Sequence, residues 1–305
     1  MAGLKEIKLK IRSTARTRTV TKAMEAVSAA KMRKTQNAAL AGRSYARAAT
    51  SVLARVQGTR ELANHPLTAK REVKKALYIV ITSDKGLAGA LNSGVLRAVA
   101  RNIEERGLTP QSASVLAIGR KAQDFFTRRE FAIQAYHPNT DVVSADIISS
   151  VVSEAAARFS SGAVDEVIIA YQNFISTFEQ RPTLRTLFPL SLKELQKVVQ
   201  DIVPAKGAMA AKAPEATAGG YTVEPTESDV LSAILERLAA IFVYHALLES
   251  QASEHSARMV AMKGASDKAA EMQHALTLKF NKARQAAITR EVSEITGGME
   301  AMATA

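Results

Sequence analysis

The residues equipped to do chemistry in this chain are few. Ser83-Asp84-Lys85-Gly86-Leu87-Ala88-Gly89-Ala90-Leu91-Asn92 follows a short apolar run and opens a helix-forming segment. A strand, a glycine-rich turn and a helix together offer backbone N–H groups to a phosphate. The glycine spacing, however, matches neither the dinucleotide fingerprint nor the phosphate loop that ends in Lys-Ser/Thr. The segment therefore reads as a tight turn capping a helix. The five histidines, His65, His137, His245, His255 and His274, lack metal-ligand spacing and read as surface or helix-seam residues. There is no Gly-x-Ser-x-Gly elbow, and no carboxylate pair stands out as acid and base. Cysteine is absent, which excludes a thiol nucleophile, a Cys-ligated zinc, a disulfide framework and a thiol switch. No conventional active site is visible, and no cofactor or metal is expected.

The other chemical feature is charge. The chain carries a net +12. Its first 60 residues hold 14 Lys and Arg against two acids, Glu6 and Glu25, so the whole excess sits there. A one-sided charge implies an acidic partner surface. Nucleic acid, an acidic protein and a merely solvated helix face all fit. Tyr45 is the one aromatic in this arm, which offers little for base stacking.

These residues need elements to hold them, and proline marks the elements out. All eight prolines lie between Pro66 and Pro225. Proline costs roughly 3 kcal/mol inside a helix, so the two proline-free ends read as long helices. Residues 4–57 would span roughly 80 Å and residues 227–296 roughly 105 Å at the α-helical rise. Helices of that length must pack on each other or on a partner. Leu4, Ile7 and Ile11 step by three and four, as do Val20, Met24 and Val27. A second seam runs from Ile234, Leu238 and Ile241 through Leu248, Ala252, Met259, Met262, Ala269 and Leu276 to Phe280, with His245, His255, Ser266 and Gln273 along it. Such a seam makes a slim, Ala-rich coil, not a strong zipper.

The middle changes period. Apolar runs at 75–82, 113–119, 131–136 and 166–171, with a fifth at 180–189, alternate with helical stretches at 91–105, 120–128 and 144–159. That alternation predicts an α/β layer with a mainly parallel sheet. At 305 residues, about two units are expected. They divide into an N-terminal helix over 1–60, an α/β domain over 70–203, a linker or loop over 204–225 and a C-terminal helix over 226–305. The fold class is α/β with long helical arms. The two ends satisfy each other most simply as an antiparallel coiled coil, with the α/β domain inserted between them. No uncharged run approaches the roughly 18 residues of a membrane span.

Three separated motifs carry a family resemblance. They are Thr21-Lys22-Ala23-Met24-Glu25-Ala26-Val27 through Lys31-Met32, the turn from Thr82 to Asn92, and Glu254 to Lys263 together with Asn281 to Glu291. Together they resemble the gamma subunit of the bacterial-type rotary proton-translocating ATP synthase, from about Leu4 to about Met302. The resemblance implies a central rotor shaft that couples proton-driven ring rotation to the conformational cycle of the catalytic head. Such a shaft is itself non-catalytic and binds no cofactor. The implied partners are the alpha and beta subunits, the epsilon subunit and the membrane ring of c subunits, with no nucleic acid. Carried over by position, Met24, Arg258, Arg284, Gln285, Thr289 and Glu291 are similar to contacts with the head. Tyr221 and Glu224 are similar to contacts of the foot. The basic, Ser/Thr-rich start superficially resembles a targeting peptide. Because the similarity begins at about Leu4, it is expected to belong to the shaft, on the cytoplasmic face of a bacterial inner membrane. Two other readings are a basic coiled coil that binds nucleic acid and a small-ligand enzyme using the Gly86–Gly89 turn.

Overall fold

The computed structural model describes residues 2–41, 62, 65–191 and 227–303. The expected linker at 204–225, the stretch 42–60 of the expected N-terminal helix, and residues 192–203 lie outside them, as do Tyr221 and Glu224. The elements in chain order are α1 (Ala2–Ala41), a 3-10 turn (Pro66–Thr68), β1 (Ala76–Ile81), α2 (Leu91–Glu105), β2 (Ala113–Ile118), α3 (Arg120–Thr127), β3 (Ala132–His137), α4 (Ala145–Ser160), β4 (Glu166–Phe174), β5 (Gln180–Phe188) and α5 (Glu227–Ala303).

The strands form one sheet in the order β3-β2-β1-β4-β5. β1, β2, β3 and β4 run parallel, and β5 returns antiparallel beside β4. The expected mainly parallel α/β layer is therefore present. Period-2 alternation sends β1 side chains to two cores. Leu77, Ile79 and Ile81 face one cluster, and Ala76, Tyr78 and Val80 face the other. The second cluster is closed by Val95, Leu96, Val99 and Ile103 of α2 and by Ala122 and Phe126 of α3. The first is closed by α4 and also by α5, through Leu231, Leu235, Leu238, Ala239, Phe242, Val243, Ala246 and Leu247. These eight residues recur at three and four, the spacing of one helix face.

α5 contains a stretch long and apolar enough, by length and composition alone, to cross a membrane. Half of that stretch is buried within the protein. Its apolarity is accounted for by the face packed on the sheet.

The chain divides into two compact units. One comprises Met1–Ser28 with Arg258–Ala305, and the other Ala29–Ala257. In the first, α1 and α5 pair as an antiparallel coil. The Lys279 cation acts on the Glu6 carboxylate, whereas Ala15, Thr19 and Ala23 share a groove with Gln273. As α1 advances, its neighbours on α5 recede. On α5 the covered positions are Arg258, Met262, Ser266, Ala269, Gln273, Leu276, Phe280 and Ala283, with the outer ones only half-buried. This spacing is a heptad seam. On α1 the expected Leu4, Ile7, Ile11 and Met24 are half-buried, but Val20 and Val27 are not on the seam. Val20 and Val27 are 57% and 55% exposed, while Thr21 and Ser28 are buried. Small side chains let two helices approach closely, so here size displaces hydrophobicity as the rule for the inner face.

Candidate functional site

The glycine-rich turn after β1 closes on itself. The Ser83 N–H donates to Asn92 Oδ1 at 3.0 Å, and Asn92 Nδ2 donates to Ser83 Oγ at 2.7 Å. Ser83 Oγ donates to the Lys85 carbonyl at 2.5 Å. The Asp84 carboxylate accepts the Arg120 N–H at 2.8 Å, tying the turn to the start of α3. Leu87 and Gly89 adopt positive φ of 63° and 58°. The turn's Ser, Asp and Asn side chains are thus committed to holding its shape; Ala90 at the start of α2 has no side-chain cap, and Asp84 caps the next helix instead.

Beside the turn, Thr82 is a hub. Its N–H donates to the Ile118 carbonyl at 2.8 Å and its hydroxyl accepts the Ala122 N–H at 2.9 Å. Gly119 passes so close that an added Cβ would lie 2.1 Å from the Thr82 oxygen, and its φ is 99°. Both facts require glycine. The Thr82 carbonyl accepts from Asn139 Nδ2 at 2.8 Å. Asn139 belongs to Pro138-Asn139-Thr140-Asp141, the loop that leaves β3.

In open parallel sheets the crevice at the carboxyl ends of the strands is the usual ligand position. Here the loops at that edge hold α5. Gln251 Nε2 donates to the Thr140 carbonyl at 2.7 Å and to Asn139 Oδ1 at 3.2 Å. Ser253 Oγ donates to the Gln172 carbonyl at 3.1 Å, near the end of β4. Ser256 Oγ donates to the Thr177 carbonyl at 2.7 Å in the β4–β5 turn. Ser253 and Ser256 are fully buried. Buried hydroxyls paired to carbonyls fix a helix in rotation and in height, because leaving a partner unsatisfied costs about 1–3 kcal/mol.

The same loop reaches α1. Lys31 Nζ lies 2.6 Å from Asp141 Oδ2, and His255 Nε2 of α5 lies 3.8 Å from Asp141 Oδ1. The Lys31 ammonium is the main cause holding the Asp141 carboxyl below the usual carboxylate range, and His255 and Lys85 act in the same sense. Lys31, Asp141 and His255 all belong to the unit Ala29–Ala257. Among the described residues, no cluster of three His, Cys, Asp or Glu could hold a metal ion.

The residues singled out from the sequence are placed variously. Met24 is half-buried on α1. Arg258 is buried at 8% exposure. Arg284, Gln285, Thr289 and Glu291 are exposed on α5, where the Thr289 hydroxyl donates to the Gln285 carbonyl at 3.0 Å. Arg258 lies about 39 Å along the helix from Arg284, so the set forms no single site. The polar grip by Asn139, Asp141, Gln251, Ser253 and Ser256 was not anticipated. Its signals were a Pro-Asn-Thr-Asp turn and a run of Ser, Gln and His interrupting the apolar face of α5.

The sequence model of the family described as ATP synthase matches residues 3–302. Solved structures with similar folds include a chain of the Tetrahymena thermophila mitochondrial ATP synthase central stalk and c-ring. It has 25% identity and a TM-score of 0.61, covering 81% of this chain and 99% of that one. A chain of the Euglena gracilis mitochondrial ATP synthase assembly of OSCP, F1 and c-ring, in rotational state 3, has 19% identity and a TM-score of 0.65, covering 99% and 95%. A chain of the Euglena gracilis rotor in rotational state 1 has 19% identity and a TM-score of 0.59, covering 94% and 99%.

Proposed function

The chain belongs to the ATP synthase gamma-subunit family, and on that premise we propose that it works as the central rotor shaft of a proton-translocating ATP synthase. Rotation of the membrane ring turns the α/β domain, which turns the coil, and the coil's changing contacts drive the catalytic head through its conformations. Coupling of this kind is a difference in contact energy between states of the surrounding subunits. Its partners are the alpha and beta subunits, epsilon and the ring of c subunits, and it associates with the membrane through them. The shaft itself performs no catalysis. The assembly sits on the cytoplasmic face of a bacterial inner membrane.

One observation carries the reading. From Ile288 to Met299 every residue of α5 is exposed, yet Ile288, Val292, Ile295, Met299 and Met302 recur at four and three along it. An unbroken apolar stripe on an exposed helix end calls for an enclosing protein surface. The head's bore is the enclosure that the family provides. Arg284, Gln285, Thr289 and Glu291, on the same exposed stretch, are proposed as head contacts. Met24 and Arg258 are proposed as further head contacts, and Tyr221 and Glu224 as contacts of the foot. The basic residues of α1 suit acidic loops on the head, since charge complementarity favours guided contact.

Reconstitution tests this. Cognate alpha and beta subunits are mixed with the chain, and complex mass and steady ATP hydrolysis are measured. The reading requires one copy per three alpha–beta pairs and raised hydrolysis. No complex at low salt, together with salt-sensitive DNA binding, would replace it with the nucleic-acid reading.

A further inference from the structure

The two terminal helices are held in the α/β unit by very different means. α5 gives eight apolar side chains to the core and three side-chain hydrogen bonders, Gln251, Ser253 and Ser256, to the strand ends. Among the described side chains of 29–41, α1 buries the large apolar Met32 and a Thr35 whose hydroxyl turns back to the Lys31 carbonyl at 3.0 Å. Apolar packing resists sliding poorly where the surface is small and smooth, whereas a directional charged contact fixes position. The contact present is Lys31 to Asp141, and Asp141 simultaneously faces His255 on α5.

We propose that Asp141 is a positioning residue for torque transfer: one carboxylate on the loop after β3 keys Lys31 of the N-terminal helix against His255 of the C-terminal helix, so that the α/β domain turns both together. This rests on the rotor reading. The loop itself is anchored, because Asn139 beside it binds the Thr82 carbonyl at the end of β1 and accepts from Gln251. Residues 139–141 thus touch both helices, adding to the packing of α5 on the core a tie that also reaches α1. Each helix continues unbroken from there, α1 back to Ala2 and α5 on to Ala303. With the key removed, α5 would still follow the α/β domain through its packed face, whereas α1 would lose its charged tie and its register against α5 would loosen. The groups facing the carboxylate are Lys31, His255 and Lys85.

The test uses the whole ATP synthase reconstituted in sealed vesicles, with protons pumped per ATP hydrolysed as the main readout. Three forms are compared: wild type, Asp141→Ala and Asp141→Glu. Hydrogen exchange of residues 29–41 in the same complexes is the second readout. Asp141→Ala is expected to speed exchange over 29–41 about fivefold, the change that ~1 kcal/mol of an exposed pair produces. It is expected to lower the pumping ratio about twofold or more, with exchange in β1 and β4 unchanged. Asp141→Glu should restore most of both. A pumping ratio equal to wild type in Asp141→Ala would overturn the proposal, as would failure of Asp141→Glu to restore it. A wild-type complex that hydrolyses ATP without pumping would instead overturn the rotor reading itself.

Discussion

Between Leu231 and Ala252, α5 turns a packed face to the sheet and buries most of its large side chains; between Ile288 and Met299 the same helix buries none. One continuous element thus behaves as a core helix at one end and a bare rod at the other. The first region is built to be held. Its apolar face fixes one side, and Gln251, Ser253 and Ser256 fix its rotation and height. The coil between them is lined by Thr21, Ser28, Ser266 and Ala269, side chains that pack closely but adhere weakly. A shaft needs that gradient: a firm grip where torque enters, and a slim, weakly adhesive surface where it must move against partners.

Substitutions should separate the two regions sharply. Gly119→Ala forces a Cβ to 2.1 Å from the Thr82 oxygen at a φ of 99° and should destabilise the α/β unit by roughly 4 kcal/mol or prevent its folding, as read by thermal unfolding. Leu235→Ala, at a position 1% exposed, should cost about 3 kcal/mol in denaturant titration. Ile295→Ala, 64% exposed on the same helix, should change the isolated chain by less than about 0.5 kcal/mol while weakening association with the head. Equal losses at 235 and 295 would break the contrast. Ser253→Ala leaves the Gln172 carbonyl without its hydroxyl partner and should cost about 1–2 kcal/mol. Arg284→Ala with Gln285→Ala should leave the melting temperature of the chain within about 1 °C and lower ATP synthesis more than subunit content in membranes. Normal synthesis would remove these two from the head contacts.

The smallest effect concerns pH. The Asp141 carboxyl titrates below its ordinary value because Lys31 holds its charged form. A depressed carboxylate stabilises above the unfolded value and loses that contribution as pH falls through the folded one. The tie to Lys31 should therefore persist through the neutral range and fail only in acid below the usual carboxylate range, as followed by carboxyl NMR.

Much of this was legible in the sequence because it is local. β1 reads directly as Ala-Leu-Tyr-Ile-Val-Ile before a glycine-rich turn, and α2 starts at Leu91 as the turn demands. The two helical ends announce themselves by lacking proline. The seam of α1 was harder. A search for apolar steps selects Val20 and Val27, yet in a close-packed coil Thr21 and Ser28 take the inner face and the valines stay outside. The grip was hidden for another reason. Lys31 and Asp141 stand 110 positions apart, and Gln251 finds Thr140 across 111. Polar pairing over such distances leaves no periodic trace. Even Arg258, picked out by its motif, is 8% exposed, because motif similarity names a position and not the direction its side chain takes.

The central claim is rotation, and the absence of cysteine makes it directly observable. Glu105→Cys, exposed at the end of α2, gives a single thiol on the α/β unit for a bead, with the head fixed to glass through its alpha or beta subunits. On adding ATP, the account predicts that the bead turns in one direction and pauses at positions related by the threefold of the head. A complex that hydrolyses ATP while the bead stays still would contradict it.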